Sequence, residues 1–196
     1  MKRLIIIVAL LVVVLSACAT NDANSNTISA VELTERENAI LSTTSDYSFV
    51  FDFNVESEYE EVTVWIEKYE LGKLVNDRMS SITSQVEEKG SIIFTSSKAV
   101  GSPKQSTFNI GISSNSSIGS STRTNTDDLD AMSSVWGNIQ GESNSVEGVL
   151  VLASICYSSD GHMSSLNPGF YKNVDDHMNK LEEYEVVYLL KAEFNK

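Results

Sequence analysis

Tyr47-Ser48-Phe49-Val50-Phe51-Asp52-Phe53-Asn54-Val55 decides the fold. Tyr47, Phe49, Phe51, Phe53 and Val55 alternate with Ser48, Val50, Asp52 and Asn54. Successive side chains of an extended chain point to opposite faces, so this period of two marks a strand with one aromatic face turned inward. The pattern recurs downstream. Val62, Val64 and Ile66 alternate with Thr63, Trp65 and Glu67, and Leu71-Gly72-Lys73 reads as the turn that follows. Residues 79–86 and 91–97 read as a hairpin around Glu87-Glu88-Lys89-Gly90, and Phe108, Ile110 and Ile112 give a fifth strand. Residues 113–126, rich in Ser, Asn, Thr and Gly, read as a long surface loop. Val135 to Ile139 and Val146 to Tyr157 read as a second hairpin. The latter stretch is apolar on both faces, which places it inside a sheet covered on both sides. Val186, Tyr188, Leu190, Ala192 and Phe194 alternate to the end of the chain and close the domain.

Helix signals are few. Thr34-Glu35-Arg36-Glu37 has the form of a capping box and predicts a short helix over 33–41. Asn173-Val174-Asp175-Asp176 predicts a second, with Val174, Met178 and Leu181 on one face. About eight short alternating segments with little helix point to a mainly β fold. The expected architecture is an antiparallel two-sheet sandwich, immunoglobulin-like, with one or two short helices, occupying residues 32–196 as a single domain.

The amino terminus carries a different message. Met1-Lys2-Arg3 precedes an unbroken apolar run from Leu4 to Leu15, then Ser16-Ala17-Cys18. A basic start, a short apolar core and small residues before a cut site make an export signal. The run is shorter than the roughly 20 residues a spanning helix needs. Leu15-Ser16-Ala17-Cys18 resembles the lipobox of bacterial lipoproteins. That resemblance covers residues 1–18 and implies removal of residues 1–17 as a signal peptide, with diacylglycerol on the Cys18 thiol. It implies that membrane lipid is a partner through Cys18, and that the domain sits on the extracytoplasmic face of the cell membrane. One acyl chain binds a bilayer marginally and two anchor it stably. Residues 18–31, small and polar, are then expected to be the lipidated cysteine and a flexible tether. No family motif stands out in the rest of the chain.

Charge narrows the classes further. The full chain has 14 basic and 27 acidic side chains, and losing residues 1–17 removes Lys2 and Arg3, so the mature formal charge falls from −13 to −15. Nucleic-acid binding needs a basic patch, and this balance argues against it. Of the two cysteines, Cys18 is committed to lipid, which leaves Cys156 without an intrachain partner. Cys156 lies in an apolar run with no base beside it and reads as a small buried hydrophobe.

Chemical motifs are sparse. His162 and His177 lack the spacing of a zinc site. Asp127, Asp128 and Asp130 with Asn125 are carboxylate-rich but lack the fixed offsets of a calcium loop, and they read as a solvated or capping turn. There is no Gly-x-Ser-x-Gly elbow and no phosphate loop, so no catalytic residue, metal or cofactor is assigned. Trp65, Tyr69, Trp136 and Tyr171 are candidates for a glycan or peptide platform, weighed against simple packing across sheets. The expected function is a membrane-anchored binding or scaffold module of the cell envelope, with an envelope protein, peptide or glycan as partner. The alternative is an extracytoplasmic hydrolase acting on envelope polymers through paired carboxylates. A third reading concerns the released signal, whose residues 10–17 have the apolar character of secreted signalling octapeptides.

Overall fold

The computed structural model describes residues 25–99, 102–141, 143–161 and 163–196. The signal segment, Cys18 and His162 lie outside them. In chain order the described elements are β1 (Thr27–Ala30), α1 (Glu35–Ser42), β2 (Tyr47–Asn54), β3 (Glu61–Glu70), β4 (Lys73–Gln85), β5 (Lys89–Ala99), β6 (Ser102–Ser114), β7 (Ser117–Thr126), β8 (Ser133–Asn138), β9 (Asn144–Ser145), β10 (Val149–Ser158), α2 (Pro168–Lys172), a 3-10 helix (Asp175–Glu183) and β11 (Val186–Asn195). Sheet I has the order β7-β6-β5-β2-β1-β9, and sheet II has β4-β3-β11-β10-β8. The strand pairings are antiparallel. The fold is thus the two-sheet β-sandwich that the alternating segments imply.

The aromatic face of β2 does what its periodicity dictates. Phe49, Phe51 and Phe53 are buried, and Phe53 meets Phe194 of β11 edge-on at 5.3 Å. Phe108 of β6 lies 4.9 Å from Tyr188 of β11. These contacts define which side of each strand faces the space between the sheets. Burying one such ring contributes about 1.5–3 kcal/mol.

Four expectations need correction. The tether expected through residue 31 gives way to a strand at Thr27–Ala30, with Ile28 1% exposed. One apolar residue among small polar ones carries no periodic signal, yet it suffices when β2 and β9 supply partners on both sides. The expected hairpin of residues 79–86 and 91–97 is absent: β4 pairs with β3, and β5 pairs with β2 and β6. The Glu87-Glu88 connection crosses between sheets, which a hairpin-length loop does not reveal. The expected loop over 113–126 is largely β7, reached by a tight turn at Asn115 and Ser116 with φ of 42° and 65°. Opposite Ile112, Ile110 and Phe108, β7 carries Gly119, Ser121 and the exposed Arg123, so no apolar alternation shows. The second helix starts at Asp175 and is of 3-10 type, preceded by α2.

Other expectations stand. Thr34 caps α1, with Glu37 reaching back to the Thr34 amide at 2.8 Å. β10 lies between β11 and β8, and Val151 to Ser158 are buried. β8 and β10 pair, although the connection between them detours through β9 in the other sheet.

Candidate functional site

β11 has two faces. Tyr188 and Phe194 point between the sheets, so Val187, Leu189 and Lys191 point outward. Tyr188 pairs with Lys68 and Leu189 with Glu67, which places Trp65 and Glu67 of β3 on the same outer face. An outer face would normally be wet. Here Val187 and Leu189 have no exposure, and α2 covers this side of the sheet by packing on the neighbouring β10 and on the 3-10 helix.

Local sequence explains that cover. Asn167 caps α2 by accepting from the Phe170 amide at 3.1 Å, and Pro168 occupies the first turn, where its missing N–H is harmless. Phe170 and Tyr171 then point down onto the sheet. The Tyr171 and Ser154 hydroxyls bond at 2.8 Å. Gly137 of β8 makes room, since a Cβ there would stand 2.6 Å from the Tyr171 oxygen. Burial pushes the Tyr171 phenol well above its ordinary pKa.

Beside this cover the same face carries an ion pair. Lys191 Nζ lies 2.9 Å from Glu67 Oε2, and the two side chains are 15% and 10% exposed. The Tyr69 hydroxyl donates to Glu67 Oε2 at 2.6 Å, and Trp65 Nε1 donates to Oε1 at 3.2 Å. Burial and then the Glu67 carboxylate hold the Tyr69 phenol protonated, which keeps it a donor. The Arg78 guanidinium caps the Trp65 ring at 4.9 Å. Three donors therefore converge on Glu67, while among the described residues Glu67 is the one charge partner of Lys191.

Lys191, Glu67 and Trp65 line a pocket of about 790 Å³. Val149, Val151 and Tyr171 form part of its wall. It runs to the sandwich edge, where Ile28 of β1 and Asn144 and Ser145 of β9 border it. Exposed Glu147, Lys172 and Asp175 stand at its rim. The volume falls within the range of small-molecule sites, and mixed apolar walls with a few fixed polar groups are their usual lining.

Of the aromatics singled out in the sequence, Trp65, Tyr69 and Tyr171 gather on this face, and all three are buried. Trp136 is 55% exposed and packs 5.2 Å from Tyr47 instead. Glu67 and Lys191 drew no attention in the sequence. For Lys191 the signal was a charge set between Leu190 and Ala192, whereas Glu67, followed by Lys68 and Glu70, gave none.

The remaining candidates serve structure. Cys156 is fully buried beneath the helical cover, and burial pushes its thiol up to about 12. Asp127 receives Lys68 Nζ at 2.8 Å, together with bonds from the Tyr188 hydroxyl and Asn125. Asp128 pairs with Lys104 on the surface. Asp176 accepts from Asn173, and the neighbouring His177 is half-buried. Among the described residues no group of three or more His, Cys, Asp or Glu side chains is arranged to hold a metal ion, and no helix is long and apolar enough to cross a membrane.

The family model described as the YgaN domain matches residues 27–194. No curated protein and no solved structure matches the chain.

Proposed function

The chain belongs to the YgaN domain family, and we propose that this member is a lipid-anchored, extracytoplasmic binding module that captures a small ligand in the pocket over sheet II. The observation that carries this reading is the Glu67–Lys191 pair, shielded from water at the floor of an open pocket. A pair of buried charges is often no more stabilising than an apolar pair of the same size, so its presence at a pocket floor favours recognition over mere stability. The motif Leu15-Ser16-Ala17-Cys18 supports the anchor and the side of the membrane. Both oxygens of Glu67 are engaged by Lys191, Tyr69 and Trp65, which suits a fixed recognition element better than a carboxylate free to exchange protons.

The test has two arms. Native mass spectrometry of the chain purified from its own membranes should show a bound small mass, lost in Val149→Trp, where the new ring fills the pocket mouth. Absence of any bound mass, together with no thermal shift across a small-molecule panel, would dismiss the binding role. Cys18→Ser should move the protein from the membrane to the soluble fraction. Retention of that variant in the membrane would remove the anchor.

A further inference from the structure

We infer that the pocket selects a ligand with an apolar body and one carboxylate, and that Lys191 is the residue reading the carboxylate. The inference rests on the pocket being a binding site and narrows what enters it.

The argument begins with donor accounting. An ammonium group has three N–H donors and no acceptor. Among the described residues Lys191 spends one direction on Glu67 Oε2. Its side chain is only 15% exposed, and it lines the pocket. The remaining donors are therefore offered to whatever occupies that space. Glu67 is the reverse case: both of its oxygens are engaged, by Trp65 at one and by Tyr69 and Lys191 at the other. The floor thus presents two unspent donors of Lys191 against one unspent lone pair of Glu67, at Oε1. It fits a guest that accepts hydrogen bonds.

The surroundings set the guest's charge and body. Glu147 and Asp175 stand at the rim, with Lys172 as the single rim cation among the described lining residues. Two rim carboxylates disfavour a doubly charged phosphate and leave a single carboxylate as the tolerated anion. Val149, Val151, Val174 and Trp65 offer apolar surface for the rest of the molecule. Under the proposed anchor, eight residues lie between Cys18 and Thr27, a reach of at most about 30 Å. Ile28 itself borders the pocket, so the pocket lies within reach of the bilayer surface, where amphiphilic acids concentrate. Two sources share this chemistry: a fatty acid, and the free carboxyl end of an apolar peptide.

The full chain in lipid nanodiscs, with Trp136→Phe so that Trp65 is the sole tryptophan, reports occupancy by fluorescence. The probes are hexanoate against hexanamide, and acetyl-Val-Ala-Val as free acid against its amide, with empty nanodiscs subtracted. The expected result is at least tenfold tighter binding of the acid in one pair, and which pair responds names the source. Lys191→Met should erase the acid preference, and Lys191→Arg should retain it. Because Lys191→Met strands a buried carboxylate, Lys191→Met with Glu67→Gln is run beside it; a folded double variant without acid preference supports the assignment. Equal binding of acid and amide overturns the inference while leaving the pocket a binding site. Preference surviving in both Met variants also overturns it. Silence of all four probes overturns it as well, and the mass-spectrometric test of bound ligand then judges the binding role separately.

Discussion

Glu67 and Lys191 dominate the residue scale, because each is costly without the other. Removing one partner of a buried pair typically costs about 3–5 kcal/mol, since the survivor keeps its desolvation penalty. Glu67→Gln leaves Lys191 unpaired, and urea denaturation should register a loss of roughly 3 kcal/mol. Replacing both by Leu and Met should cost much less. Lys68 and Asp127 make a second pair, at 2.8 Å, with side chains 11% and 17% exposed. Desolvation opposes the charge on each, but the bonds from Lys68, Tyr188 and Asn125 outweigh it for Asp127 and lower its pKa. For Lys68, desolvation is outweighed by Asp127 and Glu70, and its pKa rises. The lowered Asp127 value gives stability that is present above the ordinary 3.8 and lost as pH falls below it. The raised Lys68 value gives stability present below the ordinary 10.5 and lost as pH climbs past it. Thermal midpoints measured from pH 2 to 12 should show a plateau between those limits, and Asp127→Asn should flatten the acid limb. Cys156 needs only a thiol reagent: with its pKa near 12 and no exposure, it should react after unfolding and not before.

Among the elements, β7 shows how turn chemistry sets register. Asn115 and Ser116 both adopt positive φ, the requirement of the two-residue turn that matches strand twist. A left-handed backbone costs an L-residue about 1 kcal/mol, so Ser116→Gly should raise stability by about that much in a melt. Gly90 gives the opposite case. A Cβ there would lie 2.2 Å from the Phe53 ring and 2.3 Å from the Ser113 carbonyl, both packed in place. Gly90→Ala should therefore sharply reduce stability, seen as an earlier urea midpoint. These two places also mark the limit of what was legible in the sequence. β2, β10 and β11 announced themselves because apolar packing on at least one face leaves a readable pattern. β7 did not, because an edge strand with Gly119 and Ser121 turned inward needs only backbone partners and small side chains. The pairing of β5 with β2 rather than β4 is a property of sheet choice, which no local spacing encodes. The pocket was half legible: Trp65, Tyr69 and Tyr171 drew notice as aromatics, but the outer face of sheet II becomes a site only when α2 folds over it.

For the whole molecule, the family match from residue 27 and the paired strand β1 both place the start of the folded domain before residue 32. A chain lacking residues 25–31 should therefore melt well below the full domain, as Phe51 and Phe53 lose their cover. Ending the chain at Tyr184 removes β11, the strand that joins β3 to β10, and should abolish cooperative unfolding altogether. β1 has one more consequence. It is four residues long, it is the first strand among the described residues, and its pairing with β9 spans two register positions at the lip of the pocket. A force applied at the amino-terminal end of β1 would load that seam before any other and peel it one hydrogen bond at a time. Single-molecule pulling from the amino terminus should show a small early rip ahead of the main rupture, and a bound guest should delay it. Tension and occupancy would then be coupled through the shortest strands of the sandwich.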